Sequence, residues 1–189
     1  MSVVPTATYR LQLSRDFPLA AARELVDYLD RLGVTYLYSS PLLRARSGST
    51  HGYDVVDPTQ LAPELGSEAD LAALANDLRA RRMGVVLDIV PNHMAASDEN
   101  PFWEDVLAHG PSSAYAGWFD IDWGPTGDGP ILLPVLGDLD ARVRARDELA
   151  VVWSGTRLRL RYFDHTFPLD PATVPRVLAA SRPDRKSVV

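Results

Sequence analysis

The chain has 189 residues, 46% of them apolar, and no cysteine. This composition is enough for one ordinary domain with a sizeable core, and it excludes a disordered chain, disulfide bonds and thiolate metal sites. The formal net charge of -6 argues against nucleic acids and anionic membranes as partners. No apolar run approaches the roughly 18 residues of a membrane span, and residues 1–6 lack a signal pattern, so we expect a cytoplasmic protein.

The first elements predict two strands joined by a helix. Residues 7–13 alternate between apolar and polar side chains, which is typical of a strand. Apolar residues then recur every three or four positions from Ala22 to Leu32, and this spacing predicts one amphipathic helix between Pro18 and Gly33. Residues 34–38 predict the second strand.

A long polar stretch, residues 39–66, separates the second strand from the next helix, and its aromatic and apolar content favours an ordered loop. Ser67 and Asp70 have the spacing of a capping box, followed by an apolar stripe through Leu71, Leu74 and Leu78. Residues 83–87 are apolar and β-branched, which predicts a third strand buried on both faces.

Polar side chains follow the third strand directly. Pro91 ends ladder pairing, so Asp88, Asn92 and His93 should project from the carboxyl end of the strand. The order strand, helix, strand, helix, strand requires parallel pairing, and both a doubly wound sheet and a (β/α)8 barrel begin this way. No Gly-x-Gly-x-x-Gly or phosphate loop is present, which removes the usual nucleotide-binding interpretation. The long second loop and the polar strand end favour the barrel.

The pattern becomes irregular after His93. Asn100 and Pro101 predict the start of a short helix, and residues 151–153 and 158–162 predict a hairpin around Ser154 and Gly155. Trp118, Phe119 and Trp123 are aromatic residues that we assign to a small core rather than to a sugar platform. Six arginines predict a solvated face: Arg142, Arg144, Arg146, Arg157, Arg159 and Arg161.

Several short motifs carry a resemblance. Asp88-x-Val90-x-Asn92-His93, preceded by His51-Gly52-Tyr53, resembles the α-amylase family of glycoside hydrolases. Further short motifs, taken in their order along the chain, resemble those of the maltooligosyltrehalose synthases within that family, the (1→4)-α-D-glucan 1-α-D-glucosylmutases. These motifs are Thr8-Tyr9-Arg10-Leu11-Gln12, Ser39-Ser40-Pro41, Gly48 to Pro58, Asp88 to Met94, Phe119-Asp120-Ile121-Asp122-Trp123 and Tyr162-Phe163-Asp164-His165.

The resemblance implies an α/β fold: the first three β/α units of a (β/α)8 barrel over residues 1–99 and an inserted subdomain over residues 100–181. Such a barrel typically takes about 250 residues. We therefore expect the chain to be an amino-terminal fragment of a longer enzyme, with residues 182–189 as a truncation tail.

The resemblance also implies a retaining reaction, in which a carboxylate forms a glycosyl intermediate and a carboxylic acid protonates the leaving oxygen. The released glucose would turn and attack through its anomeric hydroxyl, giving an α,α-1,1 bond. The family places its nucleophile in a Gly-x-Arg-x-Asp motif, but here Gly155-Thr156-Arg157-Leu158-Arg159 has Arg159 at the position of the aspartate. The pair Asp164-His165 is reversed relative to the family's His-Asp. We expect no catalytic carboxylate among these residues and no activity from them alone.

Seven residues receive roles from the resemblance. Tyr53 would pack its ring on the sugar where the bond is broken, and His93 would donate a hydrogen bond to a hydroxyl of that sugar. Gln12, His51 and Asp54 would line the pocket, and Asn92 would orient its loop through backbone bonds. Asp88 would brace the site from behind the residues that touch the sugar.

The expected partner is a maltooligosaccharide, with no metal or organic cofactor and no calcium site. Two alternatives stay open: another glycosidase or transglycosidase of the α-amylase family, and a non-catalytic glucan-binding module. The sequence gives no expectation for the oligomeric state.

Overall fold

The computed structural model describes residues 4–155 and 157–180. It divides into two compact units, Met1–Asn100 and Pro101–Val189. The tail expected at 182–189 lies outside the described residues. None of the helices in the described part is long and apolar enough to cross a membrane.

The first unit alternates strands and helices. Its elements in chain order are β1 (Thr8–Leu11), α1 (Leu19–Glu24), α2 (Val26–Arg31), β2 (Tyr36–Ser39), β3 (Leu43–Ala45), β4 (Val55–Leu61), α3 (Glu68–Ala80) and β5 (Gly84–Leu87). Strands β1, β2 and β5 form a parallel sheet in that order, which confirms the predicted strand–helix repeat. One apolar core joins the sheet to the helices through buried residues that include Leu11, Leu19, Leu29, Leu37, Leu74 and Leu78.

Helix α3 begins as the sequence predicts. The Ser67 hydroxyl accepts a hydrogen bond from the Asp70 amide at 3.2 Å, and the Asp70 carboxylate accepts one from the Ser67 amide at 2.8 Å. This reciprocal pair satisfies amides that have no partner within the helix, so the predicted capping box is confirmed.

Three expectations for this unit need correction. The single helix predicted up to Leu32 is two helices, because the Leu25 amide bonds the Ala22 carbonyl and tightens the turn between them. The stretch 39–66 is ordered, as expected, but it contains the irregular antiparallel pair β3–β4. Strand β5 is not buried on both faces: its residues are half-buried and Leu87 is 54% exposed, because β5 is an edge strand of the described sheet.

Gly84 at the start of β5 is needed for close packing. Tyr36 is its register partner on β2, and a Cβ atom on Gly84 would lie 2.3 Å from the Tyr36 ring. Only glycine leaves room for that ring beside the strand. The first residue of β5 therefore accommodates the Tyr36 ring.

The second unit contains helices and an antiparallel sheet. Its elements are α4 (Pro101–His109), α5 (Asp140–Ala145), β6 (Leu149–Ser154), β7 (Arg157–Tyr162), β8 (His165–Pro168) and α6 (Val174–Ala180). The predicted short helix and the predicted β6–β7 hairpin are confirmed, and β8 extends the hairpin to three strands. Helices α5 and α6 and strand β8 were not predicted.

Two expectations for the second unit are wrong in part. Arg159 is not on a solvated face: its side chain is 11% exposed and binds the Glu104 carboxylate of α4 through two N–O contacts, at 2.5 and 2.9 Å. Trp118 is not a core residue, since one side packs on Phe102 while half of the residue stays exposed. Phe119 does pack within the unit, against Trp103 at 5.2 Å between ring centroids.

Candidate functional site

The carboxylate of Asp88 collects hydrogen bonds at the carboxyl ends of the parallel strands. Tyr53, Tyr38 and Arg10 donate to its Oδ2 atom at 2.7, 3.2 and 3.1 Å, respectively. Tyr38 lies on β2, Arg10 on β1, Tyr53 just before β4 and Asp88 directly after β5. Three segments that are distant in sequence therefore converge on one oxygen atom of a fourth.

Arg10 connects the members of this cluster. Its Nη2 atom also donates to the Tyr53 hydroxyl at 3.2 Å, and its Nη1 atom donates to the Gln12 amide oxygen at 2.7 Å. The guanidinium carbon lies 5.3 Å from the centre of the Tyr38 ring, which is cation–π distance. Since Arg10 is register partner of Tyr38, the parallel pairing of β1 and β2 sets this contact.

The cluster fixes its own protonation states. Hydrogen bonds from Tyr53 and then from Arg10 and Tyr38 lower the pKa of Asp88, against the opposing effect of desolvation. The bond to Asp88 is the main cause of the raised pKa of Tyr53, and it also raises the pKa of Arg10. At neutral pH the cluster thus holds an anionic Asp88, a cationic Arg10 and a neutral Tyr53 that donates its proton.

A tight loop presents Tyr53 to the cluster. Gly52 has a φ of +78°, and a Cβ atom there would lie 3.1 Å from the Pro41 Cβ atom, so glycine fits both the backbone angle and the space. The Ser49 hydroxyl accepts the Gly52 amide at 3.1 Å and donates to the Asp54 carboxylate. His51 accepts the Tyr53 amide on Nδ1 at 3.0 Å and stacks on the Tyr53 ring at 5.7 Å between centroids.

Asn92 and His93 lie apart from this network. Both side chains are exposed in the turn that follows β5, and neither has a hydrogen bond to another described residue. The backbone bonds expected of Asn92 are thus not seen in the described part of the chain. The Ala95 amide, two residues further on, does bond the Val55 carbonyl at 2.8 Å, which ties the end of this turn to β4.

A cavity of about 550 Å³ adjoins the loop within the first unit. His51 lines it, together with the hydroxyls of Ser14, Ser49 and Thr50 and the charged side chains of Arg15, Asp16, Arg44, Glu64 and Glu99. The volume lies in the range of roughly 300–1,000 Å³ that is typical of small-molecule sites. The mixed donors and acceptors suit a polyhydroxylated ligand better than an apolar one.

Among the described residues, no group of three or more His, Asp or Glu side chains is arranged to hold a metal ion. The seven site residues predicted from the sequence fall into three sets. Tyr53, Asp88 and Gln12 join the cluster; His51 and Asp54 build the loop beneath Tyr53; Asn92 and His93 are exposed beyond β5.

Arg10 and Tyr38 belong to the cluster but were not predicted as site residues. The pairing register of the parallel strands indicates both residues. Arg10, Tyr38 and Val86 are aligned across the three parallel strands, two residues before Asp88. A charged residue and a tyrosine side by side, just below the polar strand end, point to the same edge of the sheet.

Comparison with known proteins places this geometry in a family. The model of the α-amylase catalytic domain matches residues 19–167. The chain belongs to the α-amylase family. It therefore has an α/β fold of the amylase type, and the cluster around Asp88 is a feature of an α-amylase-family domain.

Individual relatives show which members of the α-amylase family the chain is similar to. The chain is 52% identical to a putative maltooligosyl trehalose synthase of Mycobacterium tuberculosis over 138 residues, which are 69% of this chain and 18% of that protein. It is 36% identical to the intracellular maltogenic amylase of Bacillus subtilis over 103 residues, 54% of this chain and 17% of that one. The structure of maltooligosyltrehalose synthase from Arthrobacter ramosus matches with a TM-score of 0.76 and 47% identity, covering 89% of this chain and 22% of that one. The chain thus spans about a fifth of the length of these relatives.

Proposed function

We propose that the chain is part of an enzyme that rearranges the reducing-end α-1,4 linkage of a maltooligosaccharide into an α,α-1,1 linkage. The observation that carries the proposal is the cluster around Asp88: polar side chains from three parallel strands and a tyrosine-bearing loop meet at the edge where barrel enzymes bind their substrates. The likeness to maltooligosyltrehalose synthases supports this reaction over others of the family.

Within this proposal, residues 1–99 are the first three β/α units of a (β/α)8 barrel, and residues 100–181 are a subdomain inserted after the third parallel strand. Tyr53 and His93 bind the sugar at the bond that is broken, and Gln12, His51, Asp54 and Asn92 shape the pocket around it. Asp88 braces the site: its Oδ2 atom accepts hydrogen bonds from Tyr53, Tyr38 and Arg10 and so holds these side chains in place.

The catalytic carboxylates belong to residues outside these 189. One of them forms the glycosyl intermediate, and another protonates the leaving oxygen and later deprotonates the incoming hydroxyl. The released glucose stays in the site and attacks through its anomeric hydroxyl, so the site must exclude water while the glucose turns. The cavity beside His51 provides room for further sugar units of the donor chain.

The test is the product that the full-length protein forms from maltopentaose. We expect the reducing ends to disappear without shortening of the chain, together with the NMR signal of an α,α-1,1 linkage. A rise in reducing ends would instead identify a hydrolase of the same family. Binding of maltopentaose without conversion, abolished by Tyr53→Ala, would identify a glucan-binding module. Residues 1–189 alone should convert no substrate.

A second prediction concerns His93. In the full-length enzyme, His93→Ala should lower kcat by roughly tenfold to a hundredfold and raise KM much less, because the lost hydrogen bond strengthens as the sugar ring distorts. His109→Ala is the matched control, since His109 is also exposed and its Nδ1 atom contacts the carbonyl and the carboxylate of Asp105 in the same helix. An unchanged kcat in His93→Ala would remove His93 from the site.

A further inference from the structure

Arg10 makes more contacts than the neutralisation of one carboxylate requires. An arginine that serves only as a counter-ion typically binds both carboxylate oxygens through two parallel N–H groups. Arg10 instead divides its donors: Nη2 is shared between Asp88 Oδ2 and the Tyr53 hydroxyl, and Nη1 binds Gln12. Its guanidinium carbon lies over the ring of Tyr38, 5.3 Å from the ring centre.

These contacts leave the Tyr53 phenol with little freedom. The hydroxyl donates to Asp88 at 2.7 Å and accepts from Arg10 at 3.2 Å, so one of its bonds in each direction is used. Tyr53 sits on a loop, whereas Arg10 lies on β1 and Asp88 directly follows β5. The two bonds therefore anchor a loop side chain to the rigid sheet.

The guanidinium suits this task better than an ammonium group. Its donors have a fixed planar geometry, so binding to Gln12 and Asp88 determines where the remaining N–H points. A lysine would supply the same charge from a flexible stem without that geometry. Displacement of a substrate-contacting group by about 1 Å can cost on the order of a hundredfold in rate.

We propose that Arg10 is a positioning residue of the glucan site: it locks the Tyr53 phenol and the Asp88 carboxylate into the one arrangement that receives the sugar ring. Arg10 does not touch the substrate and acts through Tyr53. The proposal rests on the proposed function, because it takes the ring of Tyr53 as the surface on which the sugar packs.

A double-mutant cycle in the full-length protein tests the proposal. Arg10→Met and Tyr53→Phe should each lower kcat/KM by about tenfold, the latter because the ring remains but loses both bonds. The kcat/KM of the double variant should lie no more than about twofold below that of the less active single variant, because both substitutions remove the same arrangement of side chains. Multiplying effects, near a hundredfold together, would overturn the proposal.

Arg10→Lys separates geometry from charge. We expect it to recover less than half of the lost kcat/KM, because the charge returns without the planar donor set. Full recovery would show that charge alone matters and would overturn the positioning role. Arg23→Met is the matched control: Arg23 is also a partly exposed arginine of the first unit and pairs with Asp77 at 2.5 Å, away from the cluster. It should leave kcat/KM unchanged.

A readout without substrate separates this proposal from the proposed function. Tyr53 ionisation can be followed as the absorbance difference between the wild-type protein and Tyr53→Phe across alkaline pH. The Arg10 guanidinium lowers the pKa of Tyr53 in opposition to Asp88, so Arg10→Gln should raise that pKa further. An unchanged or lower pKa of Tyr53 in that variant would contradict the contact between Arg10 and the Tyr53 hydroxyl. If the effects of Arg10 and Tyr53 on kcat/KM are coupled but the enzyme forms a different product, Arg10 keeps its positioning role and the proposed reaction is refuted.

Discussion

Two arginine–carboxylate pairs, Arg10–Asp88 in the first unit and Arg159–Glu104 in the second, differ in how many of their polar atoms remain available to other partners. In the second unit, Arg159 binds both oxygens of Glu104 and also donates to the Thr166 carbonyl at 3.0 Å. Both side chains are mostly buried, 11% and 15% exposed. In the first unit, Arg10 is 36% exposed and uses one nitrogen on one oxygen of Asp88.

The difference separates a structural pair from one that belongs to a site. The Arg159–Glu104 pair joins helix α4 to strand β7, and the additional bond to Thr166 reaches β8, so its donors and acceptors are directed inward. The Arg10–Asp88 pair is shared with tyrosines and lies at the open carboxyl edge of a sheet. Among the described residues, no hydrogen bond reaches the Asp88 Oδ1 atom. We therefore expect the first pair to affect mainly stability and the second mainly function.

The largest effect should come from breaking the buried pair. Glu104→Gln removes the carboxylate charge that two nitrogens of Arg159 bind in a mostly buried position, so the free energy of unfolding should fall by about 3 kcal/mol. Urea denaturation measures this loss. The double variant Glu104→Leu/Arg159→Met should be much less destabilised, because both charges are removed together.

Asp140→Asn is the control for that variant. Its partner Arg144 is four residues along α5, and the two side chains are 57% and 70% exposed. Breaking such an exposed pair should change the free energy of unfolding far less than breaking the buried one. If Glu104→Gln and Asp140→Asn cost the same, the distinction between the buried pair and the surface pairs is wrong.

The sequence predicted the pattern of elements better than the partners of individual side chains. Local signals were sufficient for the capping box of α3 and for the β6–β7 hairpin, since each depends on residues a few positions apart. The role of Arg159 was misassigned because alternation along a strand shows that Arg157, Arg159 and Arg161 share a face, but not that α4 covers part of it. The position of Glu104 is 55 residues away and carries no local signal.

The absence of local signals for distant partners also explains which residues of the candidate site the sequence predicted and which it did not. The His51-Gly52-Tyr53 and Asn92-His93 motifs drew attention to Tyr53 and Asp88, and the structure brings these two within 2.7 Å. Arg10 lies within one of the family motifs and Tyr38 within none, but the contacts of both residues depend on strand order and register. Those are properties of the folded sheet, which the spacing along the chain does not determine.

The smallest expected effect is the pH dependence of the stability that the open pair, Arg10–Asp88, contributes. Asp88→Asn should lower the free energy of unfolding by about 1–2 kcal/mol at pH 7, since an amide accepts these three bonds less well than a carboxylate. The pKa of Asp88 is lower in the folded state than the usual value of about 3.9, so its contribution is complete above that value and is lost as the pH falls through the folded pKa. The difference between the wild type and the variant should therefore shrink below about pH 4.

Asp70→Asn is the comparison that gives this measurement its meaning. The Ser67 side chain and amide lower the pKa of Asp70 too, so its stabilising contribution should disappear in the same direction as the pH falls. Asp70 serves a helix cap, however, and Asp88 binds the phenol of Tyr53. The two variants should thus show the same acid dependence of stability, while only Asp88→Asn lowers kcat/KM of the full-length enzyme at pH 7. Equal kcat/KM in both variants would mean that the open pair is as purely structural as Arg159–Glu104.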